Sequence, residues 1–132
     1  METGSAEAAV LRAVRHPSTA TAVRRLGGSL PLTAFALWVS VDQGAFVLSG
    51  RSGRPFLAVP ASDVRSIGVG EVRSRPPMPV TALAVIVTVN RPEGEVLLPI
   101  VPVGDDGRRV LTWRDAEVRS SADRLRRALA LR

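Results

Sequence analysis

Arginine dominates the charged chemistry of this sequence. All 18 basic residues are arginines, and with 12 acidic residues they give a formal net charge of +6. A guanidinium group can donate two parallel hydrogen bonds to a carboxylate or a phosphate. A positive charge of this size favours nucleic acid, acidic lipid headgroups or an acidic protein as partners. An all-arginine set also fits a GC-rich coding bias, in which case the charge serves only solubility.

Three predicted loops carry arginines in pairs. Arg51 and Arg54 flank a Ser-Gly dipeptide, which is a turn that can hold an anion between two guanidinium groups. If the three loops meet at one end of the fold, they form one basic surface; if they scatter, their arginines are solvated loop residues. The candidate anion-binding residues are Arg51, Arg54, Arg73, Arg75, Arg108 and Arg109.

Catalytic and metal-binding residue types are scarce. The sequence has no cysteine, no tyrosine and one histidine, His16, without an identifiable partner to orient it. Residues 104–107, Gly-Asp-Asp-Gly, lack the alternating ligands of a calcium loop. Glu93 and Glu95 flank a glycine, and no cleft is evident around them. We therefore predict a non-enzymatic protein with no catalytic residues, no metal site and no cofactor.

Length and hydropathy favour one globular domain. With 132 residues and 45% hydrophobic residues, the chain can bury a core without disulfides. Residues 1–10 are acidic and alanine-rich, unlike the basic start of a signal peptide. The longest apolar stretch, residues 30–41, is shorter than the roughly 18 residues needed to span a bilayer. We therefore predict no transmembrane segment and a cytoplasmic location, with peripheral membrane association as the alternative.

The first 29 residues are predicted to form an N-terminal helical extension. Residues 6–15 carry apolar residues four apart, which indicates a helix with one apolar stripe. Residues 18–26 fit two structures. They can form a helix that Gly27 and Gly28 would end, or a strand in which Thr19, Thr21 and Val23 alternate. The helix is the preferred interpretation.

Strand patterns fill the middle of the chain. Residues 33–41 place Phe35, Leu37, Val39 and Val41 on one face, and residues 45–48 return after a short loop, which predicts a hairpin. Further strands are predicted at residues 56–59, 64–72, 81–89 and 95–103. The continuously apolar residues 81–89 are typical of a central strand. Because Pro99 and Pro102 cannot donate ladder hydrogen bonds, residues 95–103 are predicted to form an edge strand or a broken one.

The last predicted element is an amphipathic helix. Thr112 and Asp115 match a helix start signal, and four apolar residues then recur at helical spacing. This face can cover the sheet, or it can bind a partner or a second copy. Val118, Leu125 and Leu129 are the candidate partner-binding residues.

The element order, with the segment Pro-Ala-Ser-Asp-Val at residues 60–64, resembles the bacterial pleckstrin-homology-like (PH-like, GRAM-like) domains over residues 30–131. The resemblance implies an α+β fold. The implied domain spans residues 30–132. It consists of an antiparallel β-barrel or two packed sheets, capped by the C-terminal amphipathic helix. The predicted helical extension, residues 1–29, precedes this domain.

Eukaryotic PH domains often bind phosphoinositides through basic residues in the first hairpin loop. The corresponding loop here is Asp-Gln-Gly at residues 42–44, which carries no basic residue. The resemblance therefore implies the fold and not that ligand. The predicted function is a non-enzymatic binding module that engages a protein partner or assembles with itself. The alternative is an anion-binding module that uses the arginine loops for nucleic acid or an acidic lipid headgroup.

Overall fold

A computed structural model describes residues 9–73, 81–103 and 115–130. Within them, seven antiparallel strands form one sheet in the order β4-β3-β2-β1-β7-β6-β5, accompanied by two helices. The strands are β1 (Ala9–Val14), β2 (Ala36–Asp42), β3 (Ala45–Ser49), β4 (Pro55–Pro60), β5 (Val64–Arg73), β6 (Thr81–Arg91) and β7 (Gly94–Pro102). The helices are α1 (Pro17–Arg25) and α2 (Asp115–Ala128), and a 3-10 turn, Ala61–Asp63, joins β4 to β5.

The predicted α+β class, with an antiparallel sheet and a C-terminal helix, is confirmed. The sheet is open, since β4 and β5 are its two edge strands and do not pair with each other in the described residues. The closed barrel is therefore not confirmed. The predicted strands at residues 45–48, 56–59, 64–72 and 81–89 all match observed strands to within a few residues.

The predicted helix at residues 6–15 is wrong for its described part. Residues 9–14 form β1, which lies between β2 and β7 and pairs with both. Leu11 and Ala13 point into the core, while the Arg12 guanidinium lies 5.3 Å from the ring of Trp38 on β2. Pairing with two neighbouring strands outweighs the helix propensity of an alanine-rich segment. An N-terminal helical extension is therefore not confirmed, because residues 9–14 belong to the sheet.

The helix preferred for residues 18–26 is confirmed as α1. His16 begins it, since its Nδ1 accepts a 3.1 Å hydrogen bond from the backbone N–H of Ser18. Pro17 occupies the first helical position, where a missing N–H costs nothing. Gly27 ends the helix with φ +90°, a left-handed conformation that favours glycine. The buried side chains of Ala22 and Val23 face the core.

β7 is continuous and lies between β1 and β6 in the strand order, so the prediction of an edge strand or a broken one is wrong for the strand as a whole. It pairs with β6 from residue 94 to 100 and with β1 only at Val101 and Pro102. Alongside Pro99, its other flank faces α1, where Thr19 Oγ1 donates a 2.6 Å hydrogen bond to the carbonyl of Pro99. In an extended strand the N and O of one residue point the same way, so the nitrogen of Pro99 also points away from β6. The nitrogen of Pro102 points toward β6, where the ladder has already ended.

α2 covers the core with its apolar face. Val118, Ala122 and Leu125 on the helix and Leu129 just after it are buried, as their spacing predicts, and the helix contacts β1, β5 and β6. Among the described residues, no helix is long and apolar enough to cross a membrane.

Candidate binding surface

The segment between α1 and β2 is held against the outer edge of β4. After Gly27, the backbone N–H of Gly28 donates to the carbonyl of Val23, and that of Ser29 donates to the carbonyl of Phe56 on β4. A Cβ at Gly28 would lie 2.4 Å from the same Phe56 oxygen, so no side chain fits between the two backbones. The close approach therefore requires glycine and places the start of this segment.

The same segment presents two large apolar side chains to solvent. A turn closes between Pro31 and Ala34, with a 3.0 Å bond from the N–H of Ala34 to the carbonyl of Pro31. Leu32 lies in this turn and is 83% exposed, and Phe35, just before β2, is 69% exposed. Contiguous exposed apolar patches mark interaction sites, and two exposed large side chains three residues apart make this segment a candidate for one.

Arg15 holds this segment in place through hydrogen bonds to its backbone. Its backbone N–H donates a 2.9 Å hydrogen bond to the carbonyl of Phe35, and its guanidinium donates to the carbonyls of Leu30 and Pro31. These bonds fix the backbone on both sides of Leu32. The exposure of Leu32 and Phe35 is therefore built into the fold.

The turn between β3 and β4 lies beside Phe35 and carries two of the candidate anion-binding arginines. The N–H of Gly50 donates to the carbonyl of Arg54, and the N–H of Gly53 donates to the carbonyl of Gly50. Gly53 has φ +83°, which the turn requires. Arg51 and Arg54 are both exposed.

The ring of Phe56 completes the surface by lying against the backbone of Gly50. A Cβ at Gly50 would be 2.6 Å from Phe56 Cζ, so the ring holds its position because residue 50 has no side chain. Between the two loops lies a recess of about 540 Å³, called here the Phe35 recess. It is lined by Thr33, Ala34, Phe35, Ala36, Gly50, Arg51, Ser52, Arg54 and Phe56. None of these described residues is acidic.

The six candidate anion-binding arginines have different outcomes. Arg51 and Arg54 lie together at the Phe35 recess. Arg73 lies at the end of β5 and lines a second recess with Arg25 and Leu97, which shares no lining residue with the first. Arg75, Arg108 and Arg109 lie outside the described residues, so the shared basic surface is established only for Arg51 and Arg54.

The candidate partner-binding residues of α2 are inside the protein. Val118, Leu125 and Leu129 are 1%, 0% and 5% exposed and belong to the core cluster beneath the helix. Because the chain's own sheet already covers this face, a partner cannot contact it in the described fold. The correction has a simple cause: a narrow apolar stripe on a helix looks the same in sequence whether it meets a sheet or another chain.

Sequence patterns did not predict that Leu32 and Phe35 are exposed at this surface. Phe35 was predicted to share the inward face of Leu37 and Val39, but β2 begins one residue later, at Ala36. Leu37 and Val39 are fully buried, whereas Phe35 leaves the alternation and stays exposed. The Gly27-Gly28 pair and Pro31 mark a long connection before β2, and they were the available signal that residues 32–35 do not belong to the strand.

The other candidate chemical groups are already engaged or lie apart. The pKa of His16 is lowered by desolvation, and its Nδ1 serves as the cap of α1. Glu95 pairs with Arg65 on the surface. Within residues 9–73, 81–103 and 115–130, no three metal-binding side chains cluster.

Comparison with known proteins adds no assignment. No family model matches the sequence, and neither the curated proteins nor the solved structures include a match to it.

Proposed function

We propose that this chain is a non-catalytic, PH-like binding module that engages a protein partner at the Phe35 recess. The observation that carries the proposal is the exposure of Leu32 and Phe35 on a backbone that Arg15 braces. Protein interfaces are commonly anchored by a few aromatic and arginine side chains around a central apolar contact. Phe35, Phe56, Arg51 and Arg54 supply this combination in one place.

The partner is a different protein, since charge opposes self-assembly through this surface. A symmetric contact between two copies through this surface would bring Arg51 and Arg54 of both copies into one interface. The described lining of the recess has no carboxylate to balance them. Like charges brought together in an interface weaken it.

The experiment compares affinity isolation with the wild-type chain, Phe35→Ser and the control Leu97→Ser. Leu97 is also a large exposed apolar residue, at 58%, but it lies in the other recess. We expect a set of proteins that wild type and Leu97→Ser both retain and that Phe35→Ser loses. With one such partner purified, Phe35→Ser should weaken the dissociation constant about tenfold or more. An unchanged set with Phe35→Ser would refute the proposal.

A second candidate function is binding of nucleic acid or acidic lipid, because Arg51 and Arg54 share one exposed turn. Such binding weakens steeply with rising salt. The test is titration of the chain with a labelled oligonucleotide and with anionic vesicles at low and high salt. Binding at low salt that Arg51→Gln and Arg54→Gln abolish supports this function, and no binding at low salt excludes it.

A further inference from the structure

We infer that the Phe35 recess receives a peptide segment in which an apolar side chain lies next to a carboxylate. The apolar side chain packs between Phe35 and Phe56, and the carboxylate binds Arg51 and Arg54. This inference rests on the proposed function and names the chemistry of the partner.

The two halves of the recess set this chemistry. Phe56 contacts the backbone of Gly50, so its ring forms a fixed apolar wall, while most of Phe35 is exposed to solvent. The recess volume of about 540 Å³ lies within the range of pockets that bind small ligands, and it can accept a large side chain.

The charge of the recess selects a carboxylate. Arg51 and Arg54 come from one turn, which the hydrogen bond between the N–H of Gly50 and the carbonyl of Arg54 closes. Both side chains therefore leave the same turn and line the same recess as Phe56. Arginine binds carboxylates with two parallel hydrogen bonds, and such contacts strengthen where neighbouring apolar groups exclude water.

A discrete acidic group fits this surface better than an extended array of phosphates. Lipid surfaces and nucleic acids are held by many cations spread over a wide area. Of the other described arginines, Arg15 directs its guanidinium to the carbonyls of Leu30 and Pro31, and Arg73 lines the other recess. The lining itself offers Arg51 and Arg54, enough for one or two carboxylates.

The probe is a blocked peptide with the central sequence Asp-Phe-Asp-Leu, titrated into the labelled chain while amide chemical shifts are recorded. The control peptides replace the acids (Asn-Phe-Asn-Leu) or the apolar residues (Asp-Ala-Asp-Ala). We expect saturable shifts confined to residues 29–36 and 50–56, and binding about tenfold weaker for each control. Arg54→Gln and Phe35→Ser should each weaken binding of the Asp-Phe-Asp-Leu peptide by a similar factor, and Leu97→Ser should leave its binding unchanged.

Three outcomes would overturn the inference: no shifts, shifts elsewhere, or equal binding of the uncharged peptide. Shifts of the same residues on adding anionic vesicles or an oligothymidylate, without any on adding the peptide, would assign the recess to the second candidate function. If affinity isolation depends on Phe35 but the acidic peptide does not bind, the proposed function stands and this partner chemistry is wrong. If neither depends on Phe35, both fail.

Discussion

Thr19 and Pro99, eighty residues apart in sequence, are joined by a 2.6 Å hydrogen bond from the threonine hydroxyl to the proline carbonyl. Thr19 is fully buried, and the bond links α1 to β7 alongside the part of the strand that β1 does not reach. Arg91 adds a second link, donating from Nη2 to the carbonyl of Leu26 just after the helix. α1 thus satisfies a strand carbonyl that would otherwise be buried without a partner.

The first prediction concerns this bond. Thr19→Val keeps the shape of the side chain and removes the donor, which leaves the buried Pro99 carbonyl unsatisfied. We expect the free energy of unfolding to fall by about 1–3 kcal/mol. Chemical denaturation measures it, with Thr21→Val as the matched control, because Thr21 is exposed and bonds only within its own helix, to Pro17. Equal losses in the two variants would show that the cross-link to Pro99 contributes nothing.

The second prediction concerns Gly28. Gly28→Ala would place a Cβ 2.4 Å from the carbonyl oxygen of Phe56, and because the obstacle is backbone, the whole segment must move. We expect a loss of about 1–3 kcal/mol in the free energy of unfolding. The shifted segment should also weaken binding at the Phe35 recess, since Leu32 and Phe35 follow on the same loop.

Gly68→Ala is the control for this substitution. Gly68 lies on β5 with open space at its Cβ position and without a positive φ, so alanine should be neutral or stabilising by up to about 1 kcal/mol. If Gly28→Ala is tolerated as well as Gly68→Ala, the close backbone approach is not a constraint on the fold.

Local pattern accounts for the elements that the sequence predicted well. The apolar spacing along α2, the run of β-branched residues in β6 and the glycines after α1 each encode structure within a short window. β1 and β7 depend instead on distant partners: residues 9–14 are a strand because β2 and β7 flank them. The prolines of β7 are tolerated because their nitrogens face α1 or the end of a ladder.

The site divides in the same way. The Arg51–Arg54 turn was predictable, because a Ser-Gly pair between two arginines is a local signal. The exposure of Phe35 was missed, since alternation alone assigned it to the buried face of β2, although Gly27-Gly28 and Pro31 signalled a loop before the strand. The position of Phe35 depends on Arg15, which donates hydrogen bonds to backbone carbonyls of the loop before β2, 15 to 20 residues further along the chain.

The third prediction is a pH dependence of stability. The pKa of His16 is lowered from 6.5 by desolvation, and its Nδ1 can cap α1 only while it is unprotonated. Its Nε2 is buried without a hydrogen-bond partner. Because the unfolded state binds the proton more tightly, this contribution is fully present above pH 6.5 and is lost as the pH falls through the folded pKa.

Denaturation curves at a series of pH values test this. Asparagine caps helices without titrating in this range, so His16→Asn should retain the helix and flatten the pH dependence just below neutrality. The same slope in wild type and His16→Asn would show that other groups cause it.

The fourth prediction separates a core role of α2 from a partner-binding role. The side chain of Leu125 is fully buried on the apolar face of α2. Leu125→Ala should therefore leave a cavity and lower the free energy of unfolding by about 2–5 kcal/mol. Arg127→Ala, on the exposed face of the same helix, should change it by no more than about 0.5 kcal/mol. If α2 instead presented its apolar stripe to a partner, Leu125→Ala would leave stability of the isolated chain nearly unchanged and weaken association. Denaturation of both variants, with sedimentation to follow association, distinguishes the two, and the burial of Leu125 predicts the large loss of stability.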